Sequence, residues 1–231
     1  MTRTVREAFF GDEDIYGGFP AHERPPDLST WGGQDPIFSI LVDAIRPVRI
    51  LEIGSRRGAS AISMAACCRA CGVPCEEIIC IDTWLGNETH MIQGNAPNAE
   101  RSPRAELLER KHGRPTIYES FLANVIHFGF QDLITPLPVP SDLGLRILAR
   151  TGFSADLIYM DAAHDYESVA ADLAGAWPLL VPGGLLLAHD YTPYWHGVMR
   201  AIDEFSDAHG LSACSHGDWR LLMKDPALPG R

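Results

Sequence analysis

Two hydrophobic patterns alternate along the chain, and their order predicts the fold class. Short, continuous apolar runs that end at a glycine, an acid or a proline-rich turn are typical of buried β-strands. Such runs occur at 48–54, 76–84 and 133–140, twice within 156–191, and again at 218–224.

Between these runs, apolar residues recur every three or four positions, which is the spacing of one face of a helix. The segment 37–45 has this spacing and is followed by Pro47, which stops a helix. Further helices are predicted at 58–72, 105–112, 120–130, 143–150, 165–177 and 198–205. Because strands and helices alternate over the whole length, we predict an α/β fold whose parallel sheet has helices on both faces.

Residues 1–37 show no clear period and are rich in turn formers and aromatic residues. We predict an irregular N-terminal arm with one short helix, packed over a single domain at 38–231. A lid over the functional site is one interpretation of this arm. The segment 85–104 contains Gly, Asn and Pro and is predicted to be a loop.

Composition and charge narrow the class of partner. The 231 residues are 46% hydrophobic and 21% charged, which is ordinary for a globular protein. The net charge of -11 disfavours nucleic acid, because phosphate binding requires a basic surface. The sequence has neither a run of roughly 18 apolar residues nor a secretory start, so we expect a cytoplasmic protein with a small-molecule partner and no membrane. Whether the chain forms a homodimer or a higher homo-oligomer is left open.

Four of the six cysteines, Cys67, Cys68, Cys71 and Cys75, crowd one predicted helix and the turn that follows it. A zinc site usually brings two separated ligand pairs, and no second pair is present. We therefore interpret these cysteines as small apolar residues that pack the helix against the sheet.

Ionisable side chains follow both strands of the segment DLIYMDAAHDYESVAADLAGAWPLLVPGGLLLAHDY. Asp161 and His164 follow the first strand, and His189 and Asp190 follow the second, which comes after a predicted Pro-Gly-Gly turn. Neighbouring parallel strands bring their carboxyl ends to one edge, where ligands bind in open α/β sheets. Two carboxylates and two imidazoles at that edge indicate a metal site with a base beside it, and hence an enzyme.

A glycine-containing turn links the strand at 48–54 to the following helix. Its spacing is G-x-x-x-G, from Gly54 to Gly58, and Arg56 stands where a dinucleotide site would have its middle glycine. Asp82 ends the second strand, where an acid accepts hydrogen bonds from the ribose hydroxyls of an adenosine. These features favour an adenosine cofactor that lacks a pyrophosphate.

The motifs LEIGSRRG, IICIDTW and PLLVPGGLLLAHDY resemble those of class I S-adenosylmethionine-dependent methyltransferases. More narrowly, DLIYMDAAHDYESVAADL resembles the bacterial branch that includes sugar and macrolide O-methyltransferases. The resemblance covers roughly residues 45–225 and implies a Rossmann-like, doubly wound, mostly parallel sheet of seven strands. It also implies S-adenosylmethionine as the cofactor and a hydroxyl of a sugar or other natural product as the methyl acceptor.

The resemblance assigns roles to individual residues. Asp161, His189 and Asp190 would bind a divalent metal, and His164 would be the catalytic base. The implied cofactor-binding set is Glu52, Gly54, Ser55, Gly58, Ser60, Asp82, Thr83, Trp84, Ser141, Asp142 and Asp161.

His189 departs from the family pattern, since metal-dependent relatives usually have Asp or Glu at this place. Magnesium prefers oxygen ligands, whereas imidazole suits softer metals. The expected ion is Mg²⁺ or Mn²⁺. The imidazole leaves open Mn²⁺, Fe²⁺ or Zn²⁺ in place of Mg²⁺, or a weakened or absent metal site.

Two other functions remain open on the residues alone. A nicotinamide-dependent oxidoreductase shares the strand, the glycine turn and the ribose acid, although the missing middle glycine argues against it. A non-catalytic, methyltransferase-like binding module would have degenerate strand ends, whereas the strand ends here are rich in ionisable groups.

Overall fold

A seven-stranded sheet forms the centre of the protein. The computed structural model describes residues 4–29, 33–86 and 109–225. The strands are β1 Arg49–Ile53, β2 Glu77–Asp82, β3 Arg110–Lys111, β4 Arg114–Pro115, β5 Ile134–Pro138, β6 Ala155–Met160, β7 Leu180–Ala188, β8 Ala213–His216 and β9 Trp219–Met223. The sheet order is β5-β2-β1-β6-β7-β9-β8, and β3 and β4 form a separate antiparallel pair. The first five strands in this order are parallel, and β9 and β8 complete the sheet as antiparallel strands.

Helices cover both faces of this sheet. They are α1 Val5–Phe10, α2 Ile37–Ile45, α3 Ala59–Ala70, α4 Ile117–Phe128, α5 Ser141–Thr151, α6 Tyr166–Ala176 and α7 His196–His209, with short 3-10 turns at Ala21–Glu23 and Trp177–Leu179. Buried side chains of α2, α3 and α4 form one core cluster, and those of α1, α5, α6 and α7 form the other. Along β1, Ile50 belongs to the first cluster, and Leu51 and Ile53 belong to the second. The predicted doubly wound α/β fold is confirmed.

Three local features differ from the sequence-based predictions. β3 occupies part of the segment 105–112, where a helix was expected. The Pro-Gly-Gly segment at 182–184 lies inside β7, with Gly183 at a φ of +82°, and does not form a turn before the strand. β8 was not predicted, because its largely exposed side chains leave no apolar run. The loop predicted at 85–104 lies almost entirely outside the described residues.

The N-terminal arm is anchored along the edge strand β5. Arg6, in α1, donates from its guanidinium to the backbone carbonyls of Gln131 and Ile134, both at 2.7 Å. The hydroxyl of Tyr16 donates to the same Ile134 carbonyl at 2.9 Å. The arm therefore covers a sheet edge that would otherwise be available for pairing with another strand.

All six cysteines are free, Cys68 is buried, and its three neighbours in the sequence cluster pack against the core of α2–α4, as the packing interpretation predicts.

Among the described residues, no helix combines the length and the apolar character needed to cross a bilayer.

Candidate active site

The ends of β6 and β7 bring the predicted ionisable side chains together. Met160 pairs with Ala188 at the last position of the register between these parallel neighbours. The backbone N–H of His189 donates to the Met160 carbonyl at 3.0 Å, and that of Asp161 donates to the Ile53 carbonyl at 2.9 Å. Asp161 and His189 therefore leave the sheet at the same edge.

His164 and Asp190 form a close pair at this edge. Nε2 of His164 lies 2.7 Å from Oδ2 of Asp190, and the two side chains are 23% and 25% exposed. The imidazole also stacks on the indole of Trp195, with ring centroids 4.1 Å apart and planes at 18°. Asp190 has a φ of +59°, a left-handed conformation that is often found at functional positions. The ring of His164 is therefore oriented by a carboxylate at one nitrogen and by an aromatic ring at one face.

His189 is more deeply buried than the two carboxylates beside it, since its side chain is 10% exposed and those of Asp161 and Asp190 are 23% and 25% exposed. Its Nδ1 is 3.3 Å from Oδ2 of Asp161 and 3.8 Å from Oδ2 of Asp190, and its ring packs on Trp219 with centroids 4.2 Å apart. Burial on its own lowers the pKa of His189, but the carboxylates outweigh burial and raise the pKa above its ordinary value. Burial on its own raises the pKa of Asp161, but contacts with both imidazoles and with Tyr159 bring it below its ordinary value.

Three ligand atoms lie close enough together to share one metal ion. One atom each from Asp161, His164 and Asp190 lies within 4.8 Å of the others, and the described residues contain no other such cluster of His, Cys, Asp or Glu. Two carboxylates and an imidazole are a donor set that fits a divalent ion. The predicted set had His189 in place of His164, and the metal-binding roles of Asp161, His189 and Asp190 stay predictions.

The glycine turn between β1 and α3, residues 54–58, is named here the cofactor loop, and it contacts the acidic site directly. Gly54 has a φ of +89°, and a Cβ there would lie 2.1 Å from the backbone oxygen of Asp161. Gly58 precedes α3 at a φ of +79°, where a Cβ would lie 2.9 Å from the ring of Phe121. Both glycines allow close packing within the protein, and the contacts of Gly54 and Gly58 with a cofactor stay predictions.

Asp82 holds the cofactor loop through its carboxylate. Oδ2 accepts hydrogen bonds from the backbone N–H groups of Ser55 at 3.0 Å and Arg56 at 2.8 Å, and Oδ1 accepts one from Trp84 at 2.7 Å. A carboxylate oxygen has two lone pairs, so Oδ1 retains capacity to accept another bond. The hydroxyl of Ser55 is buried beside the carboxyl of Glu52. The remaining capacity of Asp82 fits a ribose that bears hydroxyls; the ribose-binding role of Asp82 and the cofactor contact of Ser55 stay predictions.

Glu52 is a fully buried acid at the end of β1. The hydroxyl of Ser60 donates to its Oε1, and the thiol of Cys80 lies 3.3 Å from its Oε2. Burial raises the pKa of Glu52 to about 7, although neighbouring donors partly oppose this effect. Glu52 therefore supports the start of the cofactor loop from within the core, and the contacts of Glu52 and Ser60 with the cofactor stay predictions.

Trp84 lies behind the cofactor loop. It is 2% exposed, and its Nε1 donates to the Arg56 carbonyl at 2.6 Å. Its ring also packs on Tyr118 and Phe121, with centroids 4.9 and 4.8 Å apart. An indole enclosed in this way fixes the loop and offers little surface to an adenine, a contact that stays a prediction.

The other predicted cofactor residues follow β2 and β5. The Thr83 hydroxyl accepts a hydrogen bond from the backbone N–H of Leu85 at 3.2 Å. Ser141 and Asp142 form the first turn of α5. The Ser141 side chain contacts Asp172, whose pKa burial raises to about 6. Contacts of Thr83, Ser141 and Asp142 with a cofactor stay predictions.

Three aromatic residues that were not predicted support the acidic site. The hydroxyl of Tyr159 donates to Oδ2 of Asp161 at 2.8 Å, and a spacing of two residues in a strand does predict that these side chains share a face. No short-range pattern predicts the positions of Trp195 and Trp219. Trp195 lies in an irregular segment, and Trp219 lies on β9, which is distant in sequence from Asp161 and His164.

Comparisons with known proteins agree with the fold. A family model described as a methyltransferase domain matches residues 51–191, more than half of the chain. The uncharacterized protein y4gI of Sinorhizobium fredii (strain NBRC 101917 / NGR234) is 27% identical over 169 residues, and the match covers 73% of this chain. This chain spans only 16% of the length of that relative.

Two solved structures are similar over most of their length. The calicheamicin methyltransferase CalS11 has a TM-score of 0.58 and 20% identity, over 81% of this chain and 76% of that one. The O-methyltransferase from Bacillus cereus in complex with SAH has a TM-score of 0.56 and 16% identity, over 95% of each chain. At these identities the likeness concerns the fold, and it is the family match that fixes membership: the chain belongs to the methyltransferase domain family.

Proposed function

We propose that this protein is an S-adenosylmethionine-dependent O-methyltransferase that acts on a hydroxyl of a small molecule, a sugar or another natural product. Family membership supports methyl transfer. The similar structures support the finer assignment, since CalS11 is described as a TDP-rhamnose 3'-O-methyltransferase and the Bacillus cereus enzyme as an O-methyltransferase with SAH bound.

One observation carries the proposal: the His164–Asp190 pair lies at the sheet edge where the cofactor loop meets Asp161. Gly54 leaves no room for a side chain between the loop and the backbone of Asp161. A methyl donor held at the loop and a proton acceptor beside Asp161 would consequently be close neighbours, which is the alignment that transfer to a hydroxyl requires.

His164 is the proposed proton acceptor. When its Nε2–H donates to Asp190 across the 2.7 Å contact, its Nδ1 carries the free lone pair. The carboxylate then stabilises the imidazolium that forms as the acceptor hydroxyl loses its proton, and the Trp195 stack keeps the ring in one plane. Such general-base assistance typically contributes about 10² to 10⁴ in rate.

Asp161 and Asp190 would hold a divalent ion, Mg²⁺ or Mn²⁺, with the imidazole of His189 as the third ligand. When bound, such an ion lowers the pKa of a coordinated hydroxyl. Tyr159 orients Asp161 through its 2.8 Å hydrogen bond. Nδ1 of His189 lies 3.3 Å from Oδ2 of Asp161 and 3.8 Å from Oδ2 of Asp190.

The test combines cofactor binding, metal binding and turnover. Purified protein is titrated with S-adenosylhomocysteine and with NADH, and then incubated with S-adenosylmethionine and a panel of nucleotide sugars and phenols. We expect the wild type to bind S-adenosylhomocysteine and to form it from S-adenosylmethionine with at least one acceptor. His164→Ala should bind S-adenosylhomocysteine and Mn²⁺ like the wild type and should lose about 100-fold or more in turnover.

The outcomes separate the parts of the proposal. Binding of NADH in place of S-adenosylhomocysteine would overturn the methyltransferase function. Unchanged turnover in His164→Ala would exclude His164 as the base, and loss of Mn²⁺ binding in that variant would make His164 a metal ligand instead.

A further inference from the structure

The N-terminal arm docks on a polar stripe of α4. Ser120, Asn124 and His127 lie on one side of this helix, at the spacing i, i+4, i+7. Nε2 of His127 lies 2.7 Å from the carbonyl oxygen of Arg24, and the guanidinium of Arg24 donates to the hydroxyl of Ser120 at 3.3 Å. The arm segment, residues 24–29, therefore has a defined position against α4.

Asn124 joins this arm segment to the cofactor loop. Its Oδ1 accepts a hydrogen bond from the backbone N–H of Asp27 at 2.9 Å, and its Nδ2 donates to the Asp27 carbonyl at 2.8 Å. The same Nδ2 also donates to the carbonyl of Arg57, in the cofactor loop, at 2.8 Å. Asn124 is 1% exposed, so a broken bond would leave a buried polar group without a partner.

A second contact runs directly between the two segments. The guanidinium of Arg57 is 2.9 Å from Oδ2 of Asp27 and 3.0 Å from the hydroxyl of Ser29. The Arg57 side chain is 13% exposed and the Asp27 side chain is 44% exposed, so water partly screens this ion pair.

The backbone of the cofactor loop is held on several sides by side chains from outside the loop. Asp82 binds the N–H groups of Ser55 and Arg56, and Trp84 binds the carbonyl of Arg56. Asn124 binds the next carbonyl along the chain, and the same amide group also binds the carbonyl of Asp27 in the arm.

We propose that Asn124 is a positioning residue for the cofactor loop, and that it couples docking of the arm segment to occupancy of the loop by S-adenosylmethionine or S-adenosylhomocysteine. The inference rests on the proposed function, because it assumes that this loop holds the cofactor. Coupling of this kind is reciprocal: a ligand that favours the ordered loop also favours the docked arm, by the same free energy.

The test measures S-adenosylhomocysteine affinity by calorimetry and backbone hydrogen exchange of residues 21–29 with and without that ligand. In the wild type, we expect the ligand to slow exchange at the N–H of Asp27. Asn124→Ala should bind about tenfold more weakly, the effect of one or two lost hydrogen bonds, and should lose this protection. Asp27→Asn, which weakens the ion pair with Arg57 and the hydrogen bonds that the Asp27 carboxylate accepts from Ser29, should bind about two- to threefold more weakly.

Arg6→Ala is the matched control. It loosens α1 on the β5 edge and lowers stability, but it touches neither α4 nor the cofactor loop, so affinity should stay within about twofold of the wild type. A purely structural role for Asn124 would lower the melting temperature and leave affinity unchanged, which would overturn the inference.

If Asn124→Ala does not fold, the wild-type exchange data and Asp27→Asn decide. Ligand binding without added protection at 21–29 would overturn the coupling while leaving the proposed function intact. A wild-type protein that binds no S-adenosylhomocysteine would instead overturn the proposed function, and the inference with it.

Discussion

The indole of Trp195 lies almost parallel to the imidazole of His164, with their centroids 4.1 Å apart. This stack restricts the ring of the proposed base to one plane, because any rotation about its side-chain bonds would break the contact with Trp195 or the one with Asp190.

Trp195→Ala should lower kcat about tenfold and leave the affinity for S-adenosylhomocysteine unchanged, because the base loses its orientation while the cofactor loop is untouched. In the ¹H NMR spectrum, the Cε1 proton of His164 should lose the ring-current shift that the indole causes. Trp195→Phe should restore part of kcat and part of the ring-current shift. Trp177→Phe is the control, because this tryptophan packs on Phe205, and it should change neither kcat nor the shift. An unchanged kcat in Trp195→Ala would show that orientation of the ring by the indole is unimportant.

Gly54→Ala should destabilise the protein by about 3 kcal/mol, because the new Cβ would lie 2.1 Å from the Asp161 carbonyl at a φ that disfavours side chains. Gly129→Ala is the control, since Gly129 also has a positive φ of +69° but has open space around its Cβ. The control should cost about 1 kcal/mol, from backbone strain alone. Urea denaturation measures both variants, and equal costs would refute the close contact between the loop and Asp161.

Glu52 should make stability fall as the pH rises from about 4.5 to about 7. Its pKa is about 7 in the folded protein against an ordinary value of 4.5, so the folded state binds one more proton within this window. Stability from this group is fully present below the lower value and is lost as the pH approaches the upper one, by about 3 kcal/mol in total.

Glu52→Gln removes this titration, and the comparison with the wild type cancels the contributions of other groups. Denaturant unfolding at pH 5 and at pH 7.5 should show the variant gaining stability relative to the wild type as the pH rises. A difference between the two proteins that does not change with pH would mean that Glu52 titrates in its ordinary range.

A divalent ion should stabilise the folded protein through the two carboxylates of the site. Millimolar Mn²⁺ should raise the melting temperature of the wild type, since a ligand that binds only the native state adds to its stability. Asp161→Asn and Asp190→Asn should abolish the increase, whereas Asp207→Asn, which changes an exposed acid on α7, should keep it. An increase of equal size in all four proteins would point to binding elsewhere.

Much of the fold follows from short-range patterns in the sequence. The apolar runs identified β1, β2, β5, β6, β7 and β9. Asp165, the first residue of the helix predicted at 165–177, is the N-cap of α6, and its side chain accepts a hydrogen bond from the N–H of Ser168. β8 escaped detection because an exposed edge strand needs no hydrophobic run. The Pro-Gly-Gly segment was predicted to be a turn because its residues favour turns, but it lies within β7 at a shift of register with β6, where Gly183 has a φ of +82° and its backbone N–H donates to the Lys224 carbonyl at 2.8 Å.

The site was predictable to the extent that parallel strands bring their carboxyl ends together. That rule brought Asp161 and Asp190 to one place without any knowledge of contacts. The partners of Asn124 were not predictable, because a lone polar residue on an amphipathic helix gives no clue to a loop 67 positions earlier and an arm 97 positions earlier. Trp84 was expected near a ligand; its indole is buried behind the cofactor loop, and its contact with a cofactor stays a prediction.

The packing of Trp219 on His189 has a consequence for biosynthesis. A ribosome releases the polypeptide from its amino end, so β6 and β7 emerge well before β9 does. Until residues 219–223 have left the exit tunnel, the imidazole of His189 lacks its aromatic neighbour and β7 has one unpaired side. The acidic site therefore acquires its full aromatic support only after β9 has emerged, and a nascent chain stalled before β9 lacks the contact between Trp219 and His189.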